Sequence, residues 1–189
     1  MGNVIQLFNI TKYKFYEENN DEGNDLIGKS SVSFLDKKII EYSSGWAKET
    51  TDIFYQSVHS IDSSIYSEEQ KKAWAPLPID YGKWQKRLEL KKPTLLLINE
   101  QIAGFIELEP NGHIDCTYVS PYFQKIGVAS TLLEYVIKLA KNSGIDHLYV
   151  EVSIVAKPLF EKFGFVIENE NKVIRKKVLL VNYSMRLKI

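Results

Sequence analysis

The sequence predicts a mixed α/β (α+β) domain built on a central, mostly antiparallel sheet flanked by helices. Three observations carry that expectation. Segments with helix and strand periodicity follow one another as strand, helices, three strands, helix, strand, helix and two strands. The three consecutive strands are separated by turn signals, Asn99-Glu100 and Pro110-Asn111-Gly112, short enough to join antiparallel neighbours. The chain closes on a clean alternation in which Val181, Tyr183, Met185, Leu187 and Ile189 share one face, the pattern of a half-buried antiparallel strand.

Taken in order, Lys37–Tyr42 suits a first strand. Trp46–Ile61 has apolar residues at 46, 53, 54, 58 and 61, close to helical spacing. Ser67 stands three residues before Gln70, a capping-box spacing that starts a short helix through Trp74, which Pro76 and Pro78 end. Tyr81–Leu90 forms a third helical piece. Thr94–Ile98, Ile102–Leu108 and His113–Val119 are the three strands. Gly127–Lys141 is the clearest helix, with Val128, Leu132, Val136, Leu139 and Ala140 on the apolar side, Lys138 and Lys141 near its C-terminal end, and Gly144 as its cap. His147–Val152 is a strand, and Ile154–Phe163 a helix that stops at Gly164.

The 24 basic and 24 acidic side chains give a formal net charge of zero over 189 residues, which argues against a uniformly basic nucleic-acid binder. The zero is a cancellation. Residues 1–36 set Lys12, Lys14 and Lys29 against Glu17, Glu18, Asp21, Glu22, Asp25 and Asp36, a net charge of −3, so residues 37–189 carry +3. The run from Glu17 to Asp25 has no apolar residue and cannot bury surface. Residues 1–36 are therefore expected to be an acidic extension, flexible in part, with Val4–Phe8 able to add a short strand. Residues 37–189 are the folded domain.

Within the extension, Gly23–Ser30 fits the phosphate-loop pattern G-x-x-x-x-G-K-[ST] letter for letter. A working phosphate loop follows a buried strand and opens a helix. Here acidic residues precede it and Ser31–Leu35 is a poor helix start, so the match is set aside.

One cysteine rules out an internal disulfide framework and a multi-cysteine zinc site, and the histidines lack metal-ligand spacing, so no metal is expected. No apolar run approaches the ~18 residues that span a bilayer. Met1–Ile10 has neither a basic start nor a long apolar stretch, and Gln6 stands where a myristoylation signal has Ser or Thr. The expectation is a cytoplasmic protein with no membrane or nucleic-acid partner.

The chemistry is concentrated in Val119-Ser120-Pro121-Tyr122-Phe123-Gln124-Lys125-Ile126-Gly127-Val128-Ala129, which joins a strand to the clearest helix. Gly127 and Ala129 are small, so backbone N–H groups at the helix start can approach a ligand, and those groups with the helix dipole favour an anion. Gln124 and Ser130 add side-chain donors. The loop reads as a phosphate cradle or as an ordinary strand-to-helix turn.

Gln124-x-x-Gly127-x-Ala129 resembles the Q/R-x-x-G-x-G/A signature of the GNAT N-acetyltransferases. Ala156-Lys157-Pro158-Leu159-Phe160-Glu161-Lys162-Phe163-Gly164-Phe165 resembles their second block, which ends in Gly-Phe. Tyr66-Ser67-x-x-Gln70-x-x-x-Trp74-Ala75-Pro76 and Gly112-His113-Ile114-Asp115 are similar to the YafP-like subgroup. The resemblance covers roughly residues 37–189. It implies an enzyme that moves an acetyl group from acetyl-CoA to a primary amine of a small molecule or peptide, by direct attack in a ternary complex. It also implies that two central strands splay apart to admit the pantetheine arm.

By that resemblance, the backbones of Tyr118 and Val119 bind the pantetheine, and N–H near Val119 polarises the thioester. Gln124, Lys125, Ile126, Gly127, Val128, Ala129 and Ser130 hold the pyrophosphate. Ser153 stands where many members have an Asn that contacts the CoA arm. Phe160 replaces the Tyr that in many members protonates the leaving thiolate. That loss supports the rival reading, a non-catalytic acyl-CoA-binding or regulatory module.

Direct transfer needs a neutral amine, hence a base. In a regular strand, residues 113, 115, 117 and 119 share a face. His113 and Asp115 are the candidates; the alternatives are a surface His beside a turn and an Asp that fixes the strand or binds substrate. Glu107 reads as a solvated side chain. Cys116, an odd number of positions from His113, reads as core packing on the opposite face. Tyr66, Trp74, Tyr81 and Trp84 read either as core filling or as an aromatic wall for the acceptor, with Tyr66 and Trp74 the acceptor contacts. A monomer or homodimer fits the size.

Overall fold

The computed structural model describes residues 36–189. The acidic run, the phosphate-loop pattern and the strand expected at Val4–Phe8 lie outside the described residues.

Among the described residues, seven strands form one sheet: β1 (Lys37–Glu41), β2 (Thr94–Ile98), β3 (Gln101–Leu108), β4 (His113–Val119), β5 (His147–Ser153), β6 (Val166–Arg175) and β7 (Val178–Lys188), in the order β1-β2-β3-β4-β5-β7-β6. All neighbours run antiparallel except β4 and β5. Five α-helices among the described residues cover it: α1 (Ala47–His59), α2 (Glu68–Trp74), α3 (Tyr81–Lys91), α4 (Val128–Asn142) and α5 (Lys157–Lys162).

Local chemistry explains most boundaries. Ser67 and Gln70 exchange the two hydrogen bonds of a capping box, at 3.2 and 2.9 Å, and so start α2. Asn99 and Glu100 both take positive φ, 49° and 63°, the twist that closes a two-residue hairpin between β2 and β3. Gly112, at φ 88°, turns β3 into β4, where a Cβ would stand 2.2 Å from the His147 carbonyl oxygen.

The sheet separates two cores. Leu132, Leu133, Val136 and Ala140 of α4 and Phe160 of α5 pack with Ile98, Ile106, Ile114 and Met185 on one face. Ile53, Phe54, Tyr55 and Val58 of α1 pack with Leu95, Leu97 and Phe105 on the other. Each fully buried aliphatic or aromatic side chain of this kind contributes about 1.5–3 kcal/mol of transfer free energy. In α4 the inward residue is Leu133, while Leu139, expected inside, is exposed.

Two further local expectations fail. The last helix begins three residues late. The Ser153 hydroxyl and carbonyl both accept the Ala156 N–H, which holds residues 153–156 in a turn and delays α5 to Lys157. In β4 the side-chain alternation breaks. Ile106 pairs with Thr117 and Leu108 with Ile114, so Glu107 alone faces both Asp115 and Cys116. This is a β-bulge, and it resets the face on which every later residue falls.

Candidate active site

β4 and β5 pair only at His113↔Tyr149 and Ile114↔Val150. Beyond those pairs the strands diverge. A cavity of about 650 Å³ opens in the gap, lined by Thr117, Tyr118 and Val119 of β4, Val150, Glu151, Val152 and Ser153 of β5, and the start of α4.

The loop into α4 is built to expose backbone donors. Lys125 and Gly127 have φ of 63° and 86°, and no side chain caps the helix. A Cβ at Gly127 would meet nothing within 4 Å, because that side of the residue is open. The first intrahelical bond runs from Thr131 N–H to the Gly127 carbonyl, so the N–H groups of Val128, Ala129 and Ser130 have no partner within the helix. Gln124, Lys125, Gly127, Val128, Ala129 and Ser130 all line the cavity; Ile126 does not, and its carbonyl instead accepts a hydrogen bond from Lys37 at 3.2 Å. Gly104 brings the strands close here: a Cβ on it would stand 2.7 Å from the Tyr118 carbonyl oxygen and 2.9 Å from a Val128 methyl.

Trp74 also lines the cavity, and its indole N–H donates to the Tyr118 hydroxyl at 3.2 Å. Burial pushes the Tyr118 phenol far above its usual range. Tyr66 does not line the cavity. It is 4% exposed, and its hydroxyl accepts the Ile154 N–H and donates to the Val181 carbonyl, tying the turn before α5 to β7. Trp84 packs against Phe54 with ring centroids 4.4 Å apart, and the Tyr81 hydroxyl donates to Asp52. Of the four aromatics read either as core filling or as an acceptor wall, Trp74 alone reaches the cavity.

Asp115 and Glu151 place two carboxylates in the lining. His113 lies beside the lining rather than in it. Its Nε2 is 2.8 Å from Glu151, its Nδ1 is 3.3 Å from Glu109, and its ring stacks on Tyr149 at 4.8 Å. Glu151 was not singled out by sequence, although it sits on the β5 face shared with His147, Tyr149 and Ser153.

Beneath Asp115 lies an ionic network that sequence reasoning also missed. Glu107, expected to be solvated, is 1% exposed. Arg87 on α3 forks onto it through both guanidinium Nη atoms, and donates to Asp115 at 2.9 Å and to the Cys116 sulfur at 3.3 Å. Cys116 therefore lies on the same side as Asp115, because of the bulge. One turn along α3, Lys91 binds both Glu109 and Asp115. The signal available in sequence was the lone Glu in the apolar run Ile102–Leu108, since a carboxylate buried there needs a cationic partner.

Burial acts to raise the Asp115 pKa, but the hydrogen bond from Lys91 and the charges of Arg87 and Lys91 outweigh it and hold the group below its usual 3.8. Burial, joined by the Glu107 charge, drives the Cys116 thiol well above its usual 9.0, which leaves it protonated and a poor nucleophile. Glu107, Asp115 and Cys116 bring three potential metal-ligand atoms within 4.8 Å of one another, and the Arg87 guanidinium bonds to all three residues. No helix among the described residues is long and apolar enough to cross a membrane.

Residues 63–187 match the acetyltransferase (GNAT) domain. The chain is 34% identical over 151 residues to the uncharacterized N-acetyltransferase YafP of Escherichia coli strain K12, covering 80% of this chain and 95% of that protein. A GCN5-related N-acetyltransferase structure from Rhodopseudomonas palustris superposes with a TM-score of 0.75 at 31% identity, covering 80% of this chain and 94% of that one. The PaiA N-acetyltransferase of Thermoplasma acidophilum, solved in complex with coenzyme A, shares the fold, with a TM-score of 0.65 at 20% identity over 81% of this chain and 99% of that one. With the splayed strands, the glycine-bearing loop and these relatives together, the chain belongs to the GNAT acetyltransferase family.

Proposed function

We propose that the protein transfers an acetyl group from acetyl-CoA to a primary amine of a small molecule or peptide, by direct attack. The carrying observation is the divergence of β4 from β5 after Ile114↔Val150, which opens a slot continuous with the uncapped start of α4. A pantetheine arm fits the slot, and a pyrophosphate fits the unpartnered N–H groups of Val128, Ala129 and Ser130, aided by the helix dipole. CoA in the PaiA structure supports acetyl-CoA as co-substrate here. Tyr118 and Val119 would carry the pantetheine contacts, and Ser153 faces the same slot with its hydroxyl already engaged by Ala156.

The acceptor would sit against Trp74, and the Asp115 and Glu151 carboxylates in the same lining favour an ammonium. Glu151, in the lining, would take the proton from that ammonium, and His113, hydrogen-bonded behind it, would position the carboxylate. Asp115, held ionised by Lys91 and Arg87, would orient the cation rather than accept its proton. The neutral amine then attacks the thioester carbonyl: the C–N bond forms, the C–S bond breaks, the electron pair leaves on sulfur, and the proton shed by the new amide nitrogen passes to water. Phe160 lines the cavity and offers no proton, so the thiolate departs without acid help from that position.

The test is thiol release from acetyl-CoA across an amine panel, with intact mass of the protein followed in parallel. Amine-dependent release without a stable acetylated protein supports direct transfer. CoA binding without release to any amine would favour the non-catalytic CoA-binding module. Glu151→Gln should lower kcat by about 10²-fold and leave CoA affinity unchanged.

A further inference from the structure

The side chain of Lys37 crosses from the first residue of β1 to the cofactor loop, 89 residues away in sequence. It is 3% exposed, and its ammonium donates to the Ile126 carbonyl at 3.2 Å. A buried lysine is uncommon, and this one reaches the single residue from Phe123 to Ser130 that does not line the cavity.

The two ends of one peptide bond explain the use of such a contact. In a trans peptide the C=O and the following N–H point in opposite directions. With the Ile126 carbonyl drawn to Lys37, the Gly127 N–H is turned away from Lys37. Gly127 itself lines the cavity and has open space at its Cβ position. Glycine tolerates either orientation of its preceding peptide, so the loop's own sequence leaves that peptide free to turn over. A cradle for an anion needs its N–H groups converging on one point.

We propose that Lys37 is a positioning residue for the cofactor: by holding the Ile126 carbonyl it fixes the 126–127 peptide so that the Gly127 N–H is presented to the pyrophosphate. This rests on the acetyl-CoA reading above. Lys37 need not touch the cofactor, and its effect is confined to donors that carry a pyrophosphate.

The test compares wild type with Lys37→Met, using acetyl-CoA and the truncated donor S-acetyl-N-acetylcysteamine, which has no pyrophosphate. The variant should bind CoA about tenfold more weakly, the loss of one charge-assisted hydrogen bond. Its KM for acetyl-CoA should rise to match, with kcat at saturation and the rate on the truncated donor unchanged. An unchanged CoA affinity, or an equal loss with both donors, overturns the proposal. A wild type that does not bind CoA overturns the acetyl-CoA reading itself, which separates the two failures. Should Lys37→Met not fold, the wild-type Gly127 amide signal serves: CoA should move it downfield by NMR, and an unmoved signal contradicts the role.

Discussion

Arg87 and Glu107 form a two-pronged ion pair that joins α3 to the centre of the sheet, with the Glu107 carboxylate sealed from solvent and Arg87 also lying 5.3 Å over the Trp84 ring. The pair organises the bulge: the same guanidinium bonds to both residues that face Glu107 across β3 and β4. Breaking such a pair from one side strands the other charge. Arg87→Met should therefore destabilise the protein by about 3–5 kcal/mol, read as a lowered urea midpoint. The double variant Arg87→Met/Glu107→Leu should recover most of that loss, because neither buried charge remains.

Gly104 is required by close approach rather than by backbone angle. Its missing Cβ leaves room for the Tyr118 carbonyl and Val128. Gly104→Ala should cost about 1–3 kcal/mol as an overpacked contact. It should also weaken CoA binding, since the atoms forced to move belong to the slot. An unshifted melting temperature would show that the strands can part without cost.

Asp115 gives the fold a defined acid response. Its folded pKa lies below the unfolded 3.8, so its contribution is present above about pH 4 and is lost as pH falls through the lower folded value. Lys91 runs the other way: bonded to Glu109 and Asp115, it is raised above its usual 10.5, so its contribution is present below that pH and is lost in stronger alkali. Asp115→Asn should flatten the acid limb of a stability-against-pH curve and leave the neutral melting profile cooperative.

Trp74 links the proposed acceptor site to the strand that would hold the thioester, through its bond to Tyr118. Trp74→Phe removes one hydrogen bond, about 1 kcal/mol, and part of the wall. It should raise KM for the amine severalfold with CoA affinity unchanged; a change confined to CoA affinity would move Trp74 out of the acceptor site.

Local chemistry made much of the fold legible in sequence. The capping box of Ser67 and Gln70, the Asn99-Glu100 hairpin and the Gly127 loop are each decided by residues within a few positions, and the structure has all three. The bulge at Asp115 and Cys116 was not legible. An alternating pattern assumes one residue opposite one, and the extra residue is held by Arg87, 28 residues upstream. The same long-range pairing turned Glu107 from a solvated side chain into a buried one. Tyr66 read as an acceptor contact because its neighbours are aromatic, whereas its partners, Ile154 and Val181, lie far along the chain. Glu151 stood out only once β5 was seen to diverge from β4.

Ala129 allows the cofactor cradle to be tested apart from the fold. An Asp in the first turn of α4 favours the helix dipole by about 0.3–1 kcal/mol, yet sets a carboxylate where the pyrophosphate would sit. Calorimetric titration of acetyl-CoA into wild type and Ala129→Asp is the most direct measurement. Wild type should bind, and the variant should bind at least tenfold more weakly while melting at the same temperature or higher. Equal affinity for the two proteins would contradict the assignment of this loop as the pyrophosphate site.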